Sequence, residues 1–126
     1  MNVNQELGPE ESFRRALDGY RELRRARPDE ISAFGEYLKK VRADGALSAK
    51  TKELMSLAIS LATHCTPCVI WHTKMSLDQG ATRDELLETA LVAIAMDGGL
   101  AYTQAVYMLE AMDAWGHDRE QSDEKA

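Results

Sequence analysis

Cys65-Thr66-Pro67-Cys68 is followed after three residues by His72 and preceded, across eleven residues, by Glu53. Two thiols, an imidazole and a carboxylate are the parts of a dithiol redox centre that handles its own protons. The thiolate is the nucleophile, the imidazole takes or returns its proton, and the carboxylate orients the imidazole and raises its basicity. In a reducing compartment two cysteines at this spacing point to catalysis, redox cycling or metal binding rather than to a permanent staple. No other cluster in the chain combines residue type and spacing in this way.

Other chemistries fit these residues less completely. Haem attachment needs a histidine directly after the second cysteine, where the chain has Val69. Cys65, Cys68, His72 and a carboxylate match a tetrahedral zinc set in number, but structural zinc sites usually join Cys or His pairs from two distant segments, and here the second segment offers one Glu. Two cysteines buried only as small apolar residues would leave His72 and Glu53 as coincidences. Thiol redox chemistry uses all four residues.

The elements that must position them are helical. Strand-like alternation bounded by hairpin turns is absent, and periods of three and four run through the chain, so an all-α, single-domain bundle of about six helices is expected over residues 1–126. Phe13, Leu17, Tyr20 and Leu23 mark a first helix. Pro28 interrupts it before Ile31, Phe34, Leu38 and Val41 begin a second stripe, closed by Gly45, so that two amphipathic helices with one buried face each fill residues 10–44. Ser48 is placed to cap a third helix running to about Thr63. Its Leu54, Met55, Leu57, Ala58, Ile59, Leu61 and Ala62 surround the axis, which predicts a helix enclosed on all sides.

Pro67 fits the first turn of a fourth helix and Gly80 a position just past its end. Thr82-Arg83-Asp84-Glu85 is a capping-box sequence opening a fifth helix that is apolar nearly all round, broken by Asp97-Gly98-Gly99. A last helix carries Ala105, Met108, Leu109, Met112 and Trp115, and the polar residues 116–126, with His117 among them, have too little to bury. Met55, Met75, Met96, Met108 and Met112 read as core filler. This is more apolar surface than a small monomer covers easily, so a homo-oligomer packed through helical faces is expected.

On this layout Cys65 sits at the start of the fourth helix, where the positive end of the helix dipole favours a thiolate by roughly 0.3 to 2 kcal/mol, an effect that points to Cys65 as first nucleophile. Cys68 falls in the first turn and His72 one turn on, on the same face, placed to take the Cys68 proton. Glu53 is about 16 Å from His64 along its own helix, so only a fold-back of the third and fourth helices around His64 to Thr66 brings it to His72. His64 is either a turn residue or a second proton carrier.

Composition bounds the function. A chain of 126 residues with 44% apolar and 29% charged content describes one soluble domain. A net charge of −6 argues against nucleic-acid binding, and the arginines between Arg14 and Arg27 are interleaved with Glu10, Glu11, Asp18 and Glu22 as on a solvated face. No secretion leader is recognisable, which makes the cytoplasm the expected location. The stretch from Leu54 to Thr73 lacks Asp, Glu, Lys and Arg, but it holds His64, both cysteines, Pro67 and His72, so it reads as a buried helix and a turn rather than a membrane span.

Lys52-Glu53-Leu54, the CxxC with its His72, Gly80-Ala81-Thr82 and Asp97-Gly98-Gly99 together resemble the AhpD-like (alkylhydroperoxidase D) branch of the carboxymuconolactone decarboxylase superfamily, over about Leu47 to Trp115. The resemblance implies an all-helical fold, assembly as trimers or hexamers, and cofactor-free reduction of hydroperoxides or disulfides at the expense of a dithiol reductant. It would make Cys68 the base-activated thiol that meets peroxide, Cys65 its disulfide partner, and Glu53 with His72 the proton relay. One departure stands out: the family's peroxidases carry a histidine immediately before the second cysteine, where this chain has Pro67. The relay is incomplete as copied, and His64 is the residue that could compensate from the other side of Cys65. The decarboxylase branch acts on a lactone acid and lacks the cysteine pair. A redox-sensing oligomer without turnover would use the same residues.

Overall fold

Three prolines open helices. Pro9, Pro28 and Pro67 each stand in a first turn, where a missing N–H leaves no hydrogen bond unmade. In the computed structural model, which describes residues 7–116, the order is α1 (Pro9–Ala26), α2 (Pro28–Arg42), α3 (Ala49–Ala62), α4 (Thr66–Asp78), α5 (Arg83–Asp97) and α6 (Gly99–Trp115). The fold is all-α, with no strand among the described residues. His117 and the remaining tail lie outside those residues.

Local chemistry sets most boundaries where the sequence puts them. Ser48 Oγ accepts from the Thr51 N–H at 3.1 Å, and Thr82 and Glu85 form a reciprocal capping box, with contacts of 3.2 and 2.9 Å. Thr82→Ala is expected to cost about 0.5–2 kcal/mol, read from a urea transition. The Lys50 ammonium, 2.9 Å from Glu85, together with the Thr82 N–H, holds the Glu85 carboxyl below its ordinary range. A group depressed on folding stabilises above its unfolded pKa and loses that contribution as pH falls through the folded value. Glu85→Gln is therefore expected to lower the urea midpoint at pH 7 and to close on the wild type in acid below pH about 4.

The end of α2 departs from expectation. It stops at Arg42, short of Gly45, which lies in the following loop. The reason is Lys52, whose ammonium donates to the carbonyl oxygens of Val41 at 2.8 Å and Ala43 at 2.6 Å, satisfying helix-end groups with a cation.

Helices α3 to α6 form the body, with Leu57, Leu61, Val69, Leu86 and Met108 fully buried between them. Helix α1 crosses α4 and α6 through stacked Phe13 and Trp71, 4.6 Å between centroids, with Trp115 and Tyr20 edge-on to them. Helix α2 lies against α1 and α3.

Burial is less complete than the apolar pattern predicts. Neither α1 nor α2 has a fully buried residue: Phe13, Leu17, Ile31 and Leu38 are half-covered, and Tyr20, Leu23, Phe34 and Val41 are exposed. Helix α3 is not enclosed. One face packs, but Met55 and Ile59 face outward, Ile59 at 61% exposure. On α5, Leu91, Val92 and Met96 do the same, so Met55 and Met96 are not core filler. The physical reason is that, among the described residues, no helix packs over these side chains.

Candidate active site

Helix α3 ends at Ser60–His64 in a Schellman turn, the Cys65 N–H bonding the Ser60 carbonyl at 3.1 Å and the His64 N–H that of Leu61 at 3.3 Å. Helix α4 ends in the same motif, where Gly80 takes the left-handed position at φ 95°. In α3 that position belongs to His64, φ 59°, the one non-glycine with positive φ among the described residues. A left-handed non-glycine costs roughly 1–2 kcal/mol, and here the His64 ring is tied by Nε2 to Asp97 Oδ2 at 2.7 Å, at the last residue of α5. His64→Gly, which suits the backbone, is expected to be more stable than His64→Ala by about 1 kcal/mol in denaturant titration.

The turn delivers Cys65 to the N-cap of α4 and Cys68 to its first turn, and the two are joined as a disulfide with Cα atoms 5.2 Å apart. Thr66 and Gln104 exchange a side-chain hydrogen bond at 3.2–3.3 Å that ties this first turn to α6. One turn along, His72 Nδ1 lies 3.0 Å from Glu53 Oε2, so the fold-back joins these two side chains directly, without a bridging water.

Glu53 is 5% exposed, and a carboxylate that far from water requires partners. It has two: His72, and Arg42, whose Nε is 3.7 Å from Oε1. A carboxylate only accepts, so Nδ1 of His72 carries the hydrogen and donates it. In the neutral ring Nε2 is then an open acceptor, the state a general base needs. His64 does not join this group; its partner is Asp97. Four of the residues singled out in the sequence thus converge as a disulfide beside a Glu–His pair, and the fifth belongs to a separate His–Asp pair.

Three participants escaped the sequence reading. Asp97 was visible only as a helix breaker and Gln104 not at all. Arg42 carried a usable signal: it continues the apolar stripe of Ile31 and Leu38 at helical spacing, and a charge on a packing face needs a partner. Lys52 and Glu53 act in sequence, the first fixing the end of α2 and the second receiving its Arg42.

A cavity of about 580 Å³ opens between α1, α2 and α4, with Cys68, Trp71 and His72 on one wall. Among the described residues Cys68 borders it and Cys65 does not. No group of three or more His, Cys, Asp and Glu among the described residues could hold a metal ion, and no helix there is long and apolar enough to cross a membrane.

The sequence model of the carboxymuconolactone decarboxylase family matches residues 28–111. The chain belongs to that family. Membership reaches further towards the N-terminus than the resemblance starting at Leu47, taking in all of α2 and with it Arg42. An uncharacterized protein of Cupriavidus necator is 37% identical over 73% of this chain and 81% of its own length, and an uncharacterized protein of the Paracoccus denitrificans cox locus is 38% identical over 64% and 73%. Among solved structures, an apo carboxymuconolactone decarboxylase family protein of Legionella pneumophila superposes with a TM-score of 0.81 at 31% identity, covering 85% of this chain and 96% of that one. A family member from Thermotoga maritima, 22% identical, shares the fold with a TM-score of 0.67 over 82% of this chain and 95% of that one.

Proposed function

We propose that this family member is a cofactor-free thiol oxidoreductase that reduces organic hydroperoxides at Cys68. The observation that carries the reading is the shared wall: Cys68 and His72 border one cavity, and His72 is held by Glu53 from the side away from its Nε2. In the reduced enzyme His72 Nε2 takes the Cys68 proton. The thiolate attacks the distal peroxide oxygen; an S–O bond forms as the O–O bond breaks, and the alkoxide leaves with the proton from His72. The Cys65 sulfur then attacks the Cys68 sulfur, its thiol proton leaving with the hydroxyl as water while the disulfide forms. Two electrons have passed to the peroxide, and a dithiol reductant returns them by exchange. That cycle belongs in a reducing compartment such as the cytoplasm.

The dipole at the α4 N-terminus favours the Cys65 thiolate, which suits a resolving thiol as well as an attacking one. The cavity's border at Cys68 supports Cys68 as the thiol that substrate reaches. Pro67 occupies the place of the family's histidine, and the Glu53–His72 pair is the relay that remains.

We also propose that copies of the chain meet through the outward faces of α3, α5 and α6, where Ile59, Leu91, Val92, Met96, Leu100 and Tyr102 are each exposed. Apolar exposure of this extent marks an association surface, and trimers or hexamers are the assemblies it is proposed to make. Sedimentation at low micromolar concentration tests it, a monomer being the contrary result.

The activity is tested on reduced protein given one equivalent of organic hydroperoxide, with intact mass, free thiols and peroxide followed together. Loss of both thiols with one peroxide consumed supports the reading. Thiols that stay reduced while peroxide persists sink it. Sustained turnover with a dithiol separates an enzyme from a redox sensor that reacts once.

A further inference from the structure

Lys52 and Glu53 are neighbours on α3, and both reach the same residue of α2. The Lys52 ammonium donates to the carbonyl oxygens of Val41 and Ala43, on either side of Arg42, at 2.8 and 2.6 Å. Arg42 is thereby held along its backbone, and its side chain extends to Glu53, with Nε 3.7 Å from Oε1. His72 takes the other oxygen of that carboxylate, Nδ1 lying 3.0 Å from Oε2. One buried carboxylate thus has a guanidinium at one oxygen and an imidazole at the other.

A carboxylate kept from water needs a balancing cation. The guanidinium is charged throughout the working pH range, whereas an imidazole becomes a cation only by holding the proton that the relay must accept. With Arg42 present, Glu53 is balanced without His72. Without Arg42, His72 is the remaining partner, and the carboxylate favours its imidazolium form. Few other charges surround the ring. Arg24 of α1 and Glu36 of α2, opposite in sign, line the cavity, and among the described residues no charged side chain of α6 does. On α4 itself Lys74 is paired with Asp78, and on α3 Lys52 is committed to the α2 carbonyls.

We infer that Arg42 is a positioning residue that sets the pH range in which His72 works as a base: it supplies the cation for Glu53, so the ring stays neutral, with Nε2 open, to lower pH than the Glu53–His72 pair alone allows. The inference rests on the peroxidase reading and adds a control on the same relay. In the proposed cycle Arg42 neither gives nor takes a proton; the proton passes from Cys68 to His72 as written above.

The test follows the histidine ring-nitrogen resonances of the full chain in its disulfide form, where neither cysteine titrates, across about pH 5 to 9. His72→Gln assigns the resonance. Arg42→Gln and Arg42→Met are expected to raise the His72 protonation midpoint by about one pH unit, the low end for a neighbouring charge because the Arg42 side chain is 40% exposed. Arg42→Lys, which keeps the charge, is expected to stay near the wild type. So is Arg25→Gln, which removes an exposed arginine outside the cavity lining. In reduced protein the acid limb of thiol oxidation by tert-butyl hydroperoxide is expected to move with the midpoint. A midpoint unmoved in both Arg42→Gln and Arg42→Met, or moved equally in Arg25→Gln, overturns the inference, as does an acid limb that stays in place while the midpoint moves. A midpoint that moves as expected while no hydroperoxide oxidises the thiols overturns the peroxidase reading and leaves the hold of Arg42 on His72 standing.

Discussion

Cys68→Ser is expected to abolish hydroperoxide consumption, by roughly three orders of magnitude or more, while Cys65→Ser still consumes one equivalent and halts with a single oxygen added to the protein. The asymmetry follows from placement. Cys68 borders the cavity and shares that wall with His72, so a hydroxyl there removes the sulfur that the proposed substrate meets. Cys65 sits at the N-cap, away from the cavity lining; without it the sulfenic acid on Cys68 has no thiol to resolve it. Single-turnover peroxide assays with intact-mass detection read both outcomes. The reverse pattern, with Cys65→Ser dead and Cys68→Ser oxidised once, would transfer the attacking role to Cys65, as the helix dipole alone suggests.

The second large effect is expected at Glu53, which in the proposed cycle touches no reacting atom and positions His72. Glu53→Gln keeps the shape but reverses the polarity of one contact, because an amide can donate to Nδ1. The neutral ring then carries its hydrogen on Nε2 and cannot accept from the thiol. A loss of about 10²-fold or more in the rate of thiol oxidation near neutral pH is expected, the usual worth of a general base. The loss should shrink as pH rises into the range where free cysteine ionises, about 8.5, since a thiolate formed by bulk water needs no base. A merely structural defect would lower the rate evenly across pH. Glu53→Asp, which retains the charge, is expected to recover part of the rate.

The fold was legible where local chemistry decides it. Ser48, Pro67, Thr82 with Glu85, and Gly98 mark boundaries through caps, a fixed φ or a left-handed backbone, and each acts within a few residues of itself. Boundaries set from a distance were not legible: α2 ends where Lys52 reaches back to it, and nothing near Arg42 announces that. The same division holds at the site. Cys65, Cys68 and His72 lie on one turn-and-helix segment and are read from spacing alone, and the Glu53 contact needed only a fold-back. Arg42, Asp97 and Gln104 arrive from other helices, so their contacts depend on packing that no short-range pattern encodes. All-round apolarity on α3 and α5 was read correctly as composition and wrongly as burial, since among the described residues no helix lies over Ile59 or Met96.

The cavity's walls differ in what holds them. Its Cys68 wall belongs to α4, anchored in the core by Val69, Ile70 and Leu77, whereas the facing wall belongs to α1 and α2, which have no fully buried side chain. Free energy of local opening follows buried contact, so amides of α2 should exchange with solvent deuterium well ahead of those of α3 and α4. Brief detachment of one outer helix is thus the expected route by which bulky ligands enter the cavity, with Cys68 and His72 left on the part of the protein that stays rigid.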